Sequence, residues 1–498
     1  MSGNAKGRNL PPKPEAMIEA LRGLGYSAET ALADIIDNSI SAGASVVDIE
    51  FVWAGDASRI SILDNGKGMS DSELERAMQF GAKSPLDVRD HKDLGRFGMG
   101  LKTASFSQCR ALTVATIQNG KSACLRWDLD ALTDTSRSGW TIYEGTMKGS
   151  ESFIAPLQAT VNGTLVLWEK LDRIISSGYT SSDFSDLIDR VNNHLGMVFH
   201  RLIERLNRPL KISINGRSVQ PWDPFMTGHH SKPWESPIAK TSKATGPVEV
   251  QCHVLPHKDK ISSQEFDCGA GPGGWTAQQG FYVYRNERLL VSGGWLGLGQ
   301  GRAWNREESH RLARLRLDIT NTADAEWKID IRKSTARPPV ALRVWLTRLA
   351  EDTRERARKV FAYRGSPIQR PGAVPVEQAW RAEHTKSGIS YRIDERHPVI
   401  ASVLGLSTEH QPLLKAMLRV IEETVPVQRI WLDTAENKET PKTAFSGEPT
   451  ADVKKVLQTL FNDMVVRRGM SEEVAKRQLL STEPFQNFTE LIASLSAE

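Results

Sequence analysis

Cysteine is scarce: Cys109, Cys124, Cys252 and Cys268 are the whole complement in 498 residues. No two of them form a CxxC pair, which argues against a zinc site or a disulfide framework and predicts reduced thiols in a reducing compartment. No apolar run approaches the ~20 residues of a membrane span. Residues 1–14 are polar and basic, without the apolar stretch of a secretory signal. These absences predict a cytoplasmic protein with no membrane partner. A surplus of one charge sign is also missing. Lys and Arg number 64 and Asp and Glu 60, a net charge of +4, so nucleic-acid binding would require charge concentrated locally. Internal repeats are absent. With 39% hydrophobic and 25% charged residues, the chain is neither disordered nor collagen-like. Its length corresponds to about three domains.

What is there begins as an α/β pattern. Residues 14–42 have helical character, closed by Gly43. Residues 46–53 alternate, with Val47, Ile49, Phe51 and Trp53 on one face, and predict a half-buried strand. A second strand, 59–63, runs into Asp64-Asn65-Gly66-Lys67-Gly68. Ser70 predicts an N-cap for a helix reaching residue 80. Residues 81–97 are polar and irregular, a candidate mobile loop. Strand patterns recur at 111–117, 123–129 and 164–168. A second α/β unit is expected over about 175–340, with a long helix at 184–206, a hairpin around Asn215-Gly216, a loop at 222–245 and strands at 281–290. A charged helix at 341–361 places Leu342, Trp345, Leu346 and Leu349 on one face. Residues 366–388 read as a linker and the remainder as a small, mostly helical module.

Three short motifs carry chemistry. In Asp34-Ile35-Ile36-Asp37-Asn38-Ser39, a helix sets Asp34 and Asn38 one turn apart on one face. An amide oxygen there can ligate Mg²⁺, and the carboxylate can take a proton from an attacking water. A solvated polar helix face is the plainer alternative. In Asp64-Asn65-Gly66-Lys67-Gly68-Met69, a carboxylate at a strand end can accept a hydrogen bond from an exocyclic amine, and the bare glycines let a flat ring approach the backbone. A strand followed by a tight turn is the plainer alternative. In Gly95-Arg96-Phe97-Gly98-Met99-Gly100-Leu101-Lys102-Thr103, glycines before a helix leave backbone N–H groups free to cradle phosphate. A glycine-rich surface loop is the alternative. The P-loop spacing GxxxxGK[ST] fails because Leu101 separates Gly100 from Lys102, and GxGxxG fails for want of a third glycine.

In this order and spacing the motifs resemble the GHKL ATPase superfamily of gyrase, MutL, the ninety-kilodalton heat-shock chaperone and the histidine kinases. The resemblance implies ATP and Mg²⁺ as ligands and a Bergerat-type α/β sandwich, a mixed sheet with helices on one face, over residues 1–172. Asn38 is similar to the metal-binding asparagine. Asp64, Gly66, Gly68 and Met69 resemble the adenine motif. Gly95, Phe97, Gly98, Met99, Gly100, Leu101, Lys102 and Thr103 resemble the lid and phosphate motif. Thr164, after Gly163, resembles the threonine that supports the adenine-binding carboxylate. Gly98 to Ser105 and Val283-Tyr284-Arg285-Asn286-Glu287-Arg288-Leu289-Leu290 are most similar to MORC ATPases. Asp37-Asn38-Ser39 followed by Ala42-Gly43-Ala44 is similar to MutL.

By the same resemblance, residues 173–340 are a transducer domain that returns a lysine to the γ-phosphate: Lys333, with Lys328 as alternative. A charged helix and linker at 341–388 and a helical C-terminal module at 389–498 follow. The superfamily's usual general base is glutamate; here the position holds Asp34, one methylene shorter, which puts fast hydrolysis in question but not nucleotide binding. The implied function is an ATP-gated homodimeric clamp on double-stranded DNA, in anti-phage defence or DNA repair, beside a partner nuclease or helicase. An ATP-driven chaperone or scaffold and a binding-only pseudo-ATPase are the rivals. No endonuclease signature and no phosphoacceptor helix is found. Arg302, Arg306, Arg311, Arg314 and Arg316, and Arg354, Arg356, Arg358, Lys359 and Arg364, form two basic clusters that either contact DNA phosphates or are solvated faces.

Overall fold

The computed structural model describes residues 13–23, 25–82, 100–132, 140–244, 246–320, 326–330, 333, 335–362, 377–385, 388–406, 409–428, 430 and 451–496. Two compact units emerge, Met1–Phe361 and Ala362–Glu498.

The first unit holds two sheets. Its N-terminal helical stretch is two helices, α1 (Pro14–Arg22) and α2 (Ala28–Ser41), the latter N-capped by Ser27, whose hydroxyl accepts from the Thr30 amide. Strand β1 (Val46–Val52) turns back into β2 (Arg59–Asp64), and α3 (Asp71–Met78) opens with a capping box between Ser70 and Glu73. After α4 (Gly100–Phe106) come β3 (Ala111–Gln118), β4 (Lys121–Asp128), the short α5 (Leu129–Leu132), β5 (Tyr143–Glu144), α6 (Glu151–Gln158) and β6 (Gly163–Glu169). The sheet order is β5-β4-β3-β6-β2-β1-β7-β8, where β7 is Lys211–Ile214 and β8 is Arg217–Ser218.

Strand alternation sorts side chains between two faces. Leu112, Val114, Val166 and Trp168 meet Leu32, Ile35 and Ile36 of α2 in the main core, while Leu165 and Leu167 turn the other way beneath Phe153, Ile154 and Leu157 of α6. The expected sandwich is present, with α6 as a small cover on its second face.

The sheet continues past residue 172, where the sequence suggested a border. Strand β7 pairs parallel with β1, Val47 opposite Ile212, and α7 (Ser181–Val198) packs on α2. The reason is burial: Ile212, Ile214, Phe184, Leu187 and Val191 join the first core. The expected long helix at 184–206 ends at Val198 and resumes as α8 (His200–Glu204).

The second sheet runs β10-β11-β14-β12-β13, with β9 beside β11. These are β9 (Trp234–Glu235), β10 (Ala239–Ala244), β11 (Gly246–Val254), β12 (Gly280–Arg285), β13 (Arg288–Ser292) and β14 (Ala313–Ile319). The stretch expected to be loop therefore contributes β9 and β10. Helices α9 (Ser263–Ala270) and α10 (Gly274–Ala277) precede β12. The charged helix, α11 (Val340–Ala362), lays Leu342, Leu346, Ala350 and Ala357 into this sheet's core.

The second unit is not all helix. A hairpin of β15 (Trp380–Thr385) and β16 (Gly388–Ile393) lies within and beyond the expected linker. Helices α12 (Pro398–Leu404), α13 (Gln411–Thr424), α14 (Ala451–Asn462), α15 (Glu472–Leu480) and α16 (Thr489–Ala493) follow. Val453, Leu457, Phe461, Leu479 and Ile492 form its core. Among the described residues no helix is long and apolar enough to cross a membrane.

Candidate active site

Helix α2 delivers Asp34, Asp37 and Asn38 to the same end of the first sheet. Asp34 and Asp37 are buried, 5% and 1% exposed, whereas Asn38 faces solvent. Two buried carboxylates one turn apart would be costly without cations. Both cations come from far along the chain. Lys333 Nζ lies 3.0 Å from Asp34 Oδ1 and hydrogen-bonds Asp37 as well. Arg288 Nε donates to the two Asp37 oxygens at 3.2 and 3.1 Å, and its Nη2 stands 3.6 Å from Asp34. Tyr26 donates its hydroxyl to Asp34 Oδ2 at 3.0 Å, and Thr103 bonds the same hydroxyl. Burial pushes the Asp37 carboxyl up, but Arg288 and Lys333 outweigh it and hold its pKa below the ordinary value. Burial, with the Asp34 charge second, drives the Tyr26 hydroxyl far above its ordinary range, so it stays a donor.

Lys333 itself has φ of +53°, a left-handed conformation that non-glycine residues adopt at a cost of about 1–3 kcal/mol and that concentrates at functional sites. The alternative lysine, Lys328, shares the left-handed backbone at φ +48° but is exposed.

Beside the C-terminal turn of α2, where Ser39 follows Asp37 and Asn38 in sequence, Asp64 closes β2 in a neutral setting. Its Oδ2 accepts from Ser39 Oγ at 2.8 Å and its Oδ1 from the Gly66 amide at 2.8 Å. Burial raises its pKa, opposed by Ser39 and the Gly66 and Thr164 amides. Thr164 stands opposite Asp64 in the β2–β6 ladder. Thr116, which no motif singled out, ties the corner together: its hydroxyl donates to the Gly163 carbonyl and accepts from the Met69 amide, both at 2.9 Å. Gly68 has φ of +69°, and a Cβ there would lie 1.9 Å from the Ile117 carbonyl oxygen. A Cβ on Gly163 would lie 2.3 Å from the Asp64 carbonyl oxygen. Both glycines are demanded by close backbone approach, independent of any ligand.

Of the phosphate-loop residues, Gly95, Phe97, Gly98 and Met99 lie outside the described residues. Gly100, Leu101, Lys102 and Thr103 start α4. Lys102 does not point to open solvent. It is 1% exposed, donates to the Ala77 carbonyl at 2.6 Å and lies 5.7 Å from the Phe80 ring centroid. Burial lowers its pKa to about 8. Trp127 Nε1 donates to the neighbouring Met78 carbonyl at 3.0 Å. Together they satisfy the carbonyls that end α3, so Lys102 joins the two chain segments on either side of residues 81–99.

The basic clusters are partly structural. Arg314 is fully buried, donates to the Pro224 and Gly269 carbonyls and lies between the Trp222 and Trp275 rings at 5.3 and 5.2 Å. Arg354 lies between Trp295 and Trp304 at 4.6 and 4.5 Å. Arg311 is likewise buried. Arg302, Arg306, Arg356, Arg358 and Lys359 are exposed, and Arg364 lies outside the described residues.

The donor set fits Mg²⁺ bound jointly with phosphate. Asn38 presents an amide from an exposed position beside the buried carboxylates, and among the described residues no group of three His, Cys, Asp or Glu competes as a metal cage. Arg288, Tyr26 and Thr116 are the site residues that spacing did not single out, and Asp37 stood in the first motif without a role. The Val283–Leu290 phrase contains Arg288, and its basic residue two positions after an asparagine was the available signal.

Residues 26–160 match the family described as histidine kinase-, DNA gyrase B- and HSP90-like ATPase. The chain is 30% identical to ATPase morc-1 of Caenorhabditis elegans over 91 residues, 18% of this chain and 10% of that protein. It is 37% identical to the DNA mismatch repair protein MutL of Shewanella woodyi over 89 residues, 18% of this chain and 14% of that one. To the MutL of Neisseria meningitidis serogroup B it is 33% identical over 96 residues, again 14% of that protein. The chain thus spans only a tenth to a seventh of the length of these relatives.

Proposed function

Since residues 26–160 form a GHKL-type ATPase domain of the MORC and MutL kind, we propose that the chain binds ATP with Mg²⁺ and hydrolyses it slowly. The observation that carries this reading is Lys333, which reaches Asp34 at 3.0 Å across 299 positions of sequence. A cation from the segment that follows the second sheet beside a carboxylate of α2 is the arrangement a γ-phosphate and its attacking water require.

In this reading Asp64 accepts a hydrogen bond from the adenine amine. The Ser39 hydroxyl and the Gly66 amide fix its two oxygens, and Thr164 and Met69 hold the corner through Thr116. Gly66 and Gly68 belong to the same adenine corner, where their missing side chains let the backbone close on Asp64 and on the Ile117 carbonyl. Gly95, Phe97, Gly98, Met99, Gly100, Leu101 and Thr103 surround the phosphates, and Lys102 serves from behind by fastening α4 to α3. Asn38 would hold Mg²⁺, whose charge would neutralise phosphate. Asp34 takes the proton of the attacking water, and Lys333 stabilises charge on the transferred phosphoryl group. Residues 1–172 with the α7–β8 extension make up the nucleotide-binding part, 173–340 otherwise the transducer, 341–388 the helix and linker, and 389–498 the C-terminal module.

The two MutL relatives are DNA mismatch repair proteins, which supports action on double-stranded DNA. We place the chain as a nucleotide-gated homodimer acting in DNA repair or defence with a partner nuclease or helicase. Among the described residues of the two clusters, Arg302, Arg306, Arg356, Arg358 and Lys359 are the exposed cations available for phosphate contacts. The ion pair on Asp34 also favours a second reading, a pseudo-ATPase that binds without turning over. ATP turnover with and without duplex DNA tests the proposal: turnover that DNA raises supports it, and absence of hydrolysis in a single-turnover assay selects the binding-only reading. An equal mass in light scattering with and without a non-hydrolysable ATP analogue would refute the gating.

A further inference from the structure

The Asp34, Asp37, Arg288 and Lys333 cluster contains one group more than the proposed chemistry uses on each side of the charge balance. Asp37 does not lie one turn before Asn38, and Arg288 is not the phosphate lysine. Yet Asp37 is the most deeply buried of the four, and it takes the closer bond from Lys333. Arg288 is 4% exposed, and its Nη1 is fixed by the Leu289 carbonyl at 2.7 Å while Nε and Nη2 grip Asp37. None of these bonds to the guanidinium involves Lys333. The lysine is different: a single ammonium on a flexible stem, at the end of a left-handed residue.

We propose that Asp37 is the resting seat of Lys333, and that Arg288 is a positioning residue that holds the seat. The inference rests on the reading of Lys333 as the γ-phosphate lysine. With all four groups together, two carboxylates face two cations and the cluster is neutral. When a γ-phosphate draws Lys333 away, Arg288 still neutralises Asp37, and the uncompensated charge falls on Asp34. Departure of the lysine thus exposes the proton acceptor at the moment the phosphate arrives. ADP, with no γ-phosphate, leaves Lys333 seated. The seat competes with ATP and not with ADP, so it lowers the preference for ATP in exchange for keeping Asp34 paired in the empty protein.

The test is the ratio of ADP to ATP-analogue dissociation constants in wild type and Asp37→Asn, measured calorimetrically with Mg²⁺ and a non-hydrolysable analogue. Removing a charge-assisted bond worth about 1.5–3 kcal/mol should raise the ratio about tenfold or more, through tighter analogue binding at unchanged ADP affinity. Equal weakening of both ligands is what a merely structural Asp37 would give, and it overturns the proposal, as does an unchanged ratio. Should Asp37→Asn fail to fold, Asp37→Asn with Arg288→Gln removes both charges of the grip and the same rise is expected. Wild type that binds neither nucleotide overturns the ATPase reading and this inference together; wild type that prefers the analogue, with no rise in the variant, overturns this inference alone.

Discussion

Two buried carboxylate sites meet the same helix, one at Asp37 and one through Ser39, and are stabilised in opposite ways. Asp64 is surrounded by neutral donors, a serine hydroxyl and backbone amides, and its pKa is raised. Asp37 is surrounded by two cations and its pKa is lowered. Neutral donors fix an oxygen in space without cancelling its charge, which suits an acceptor that must read one edge of a ligand. Cations cancel charge and can be exchanged for another anion, which suits a group that must change partners during a reaction. The first site draws its donors from Ser39, Gly66 and Thr164, all within the first sheet, its helix and the turn after β2, the second from residues 251 and 296 positions apart.

Breaking the charged end should have the larger structural effect. Arg288→Met leaves Asp37 buried without its main cation and should cost about 3–5 kcal/mol of unfolding free energy, the range for removing one partner of a buried pair. Denaturant unfolding measures it, and a loss below about 1 kcal/mol would mean the cluster is solvated in solution. Asp64→Asn should move in another direction. Nucleotide affinity should fall roughly 10–100-fold, with little change in melting temperature, because burial already disfavours the ionised form. Equal losses of stability and binding would erase the contrast between the sites.

Gly68→Ala, with its Cβ driven toward the Ile117 carbonyl in a left-handed residue, should cost about 1–3 kcal/mol even without nucleotide. A stability equal to wild type would show that the corner can relax.

The pH dependences should oppose each other in sign. The lowered pKa of Asp37 contributes stability above its unfolded value of 3.8, lost as pH falls through the folded value. The raised pKa of Asp64 favours the protonated folded state, so its contribution is present below 3.8 and is lost as pH rises through the folded value. Acid unfolding of Asp37→Asn should therefore be less steep than wild type and that of Asp64→Asn steeper. The remaining effect belongs to Lys102 and is confined to alkaline pH. Its pKa falls from 10.5 to about 8, so burial penalises the charged form, and stability should rise between those pH values. Lys102→Met should flatten that rise.

The same contrast explains what spacing could reveal. Asp34 and Asn38 one turn apart, Asp64 followed by glycines, and the glycines before α4 are local patterns, and their neighbourhood follows from helix and strand periodicity. The core faces of β1 and α11 were legible for the same reason. Arg288 on Asp37 is a tertiary contact with no period to betray it. Beyond the expected border at 172, β7 completes the first sheet by pairing with β1, a partnership set by the exposed edge of a strand more than 150 residues earlier. The arginine clusters misled because charge alone does not report burial: Arg314 and Arg354 are enclosed by tryptophans distributed along the chain.

The central claim is that Asp34 and Lys333 act together on ATP. Single-turnover hydrolysis by wild type, Asp34→Asn and Lys333→Met, with ATP affinity measured in parallel, tests it most directly. The account predicts that Asp34→Asn still binds ATP and hydrolyses it about 10²-fold more slowly or worse, and that Lys333→Met loses a comparable factor. Hydrolysis at the wild-type rate in either variant would contradict it.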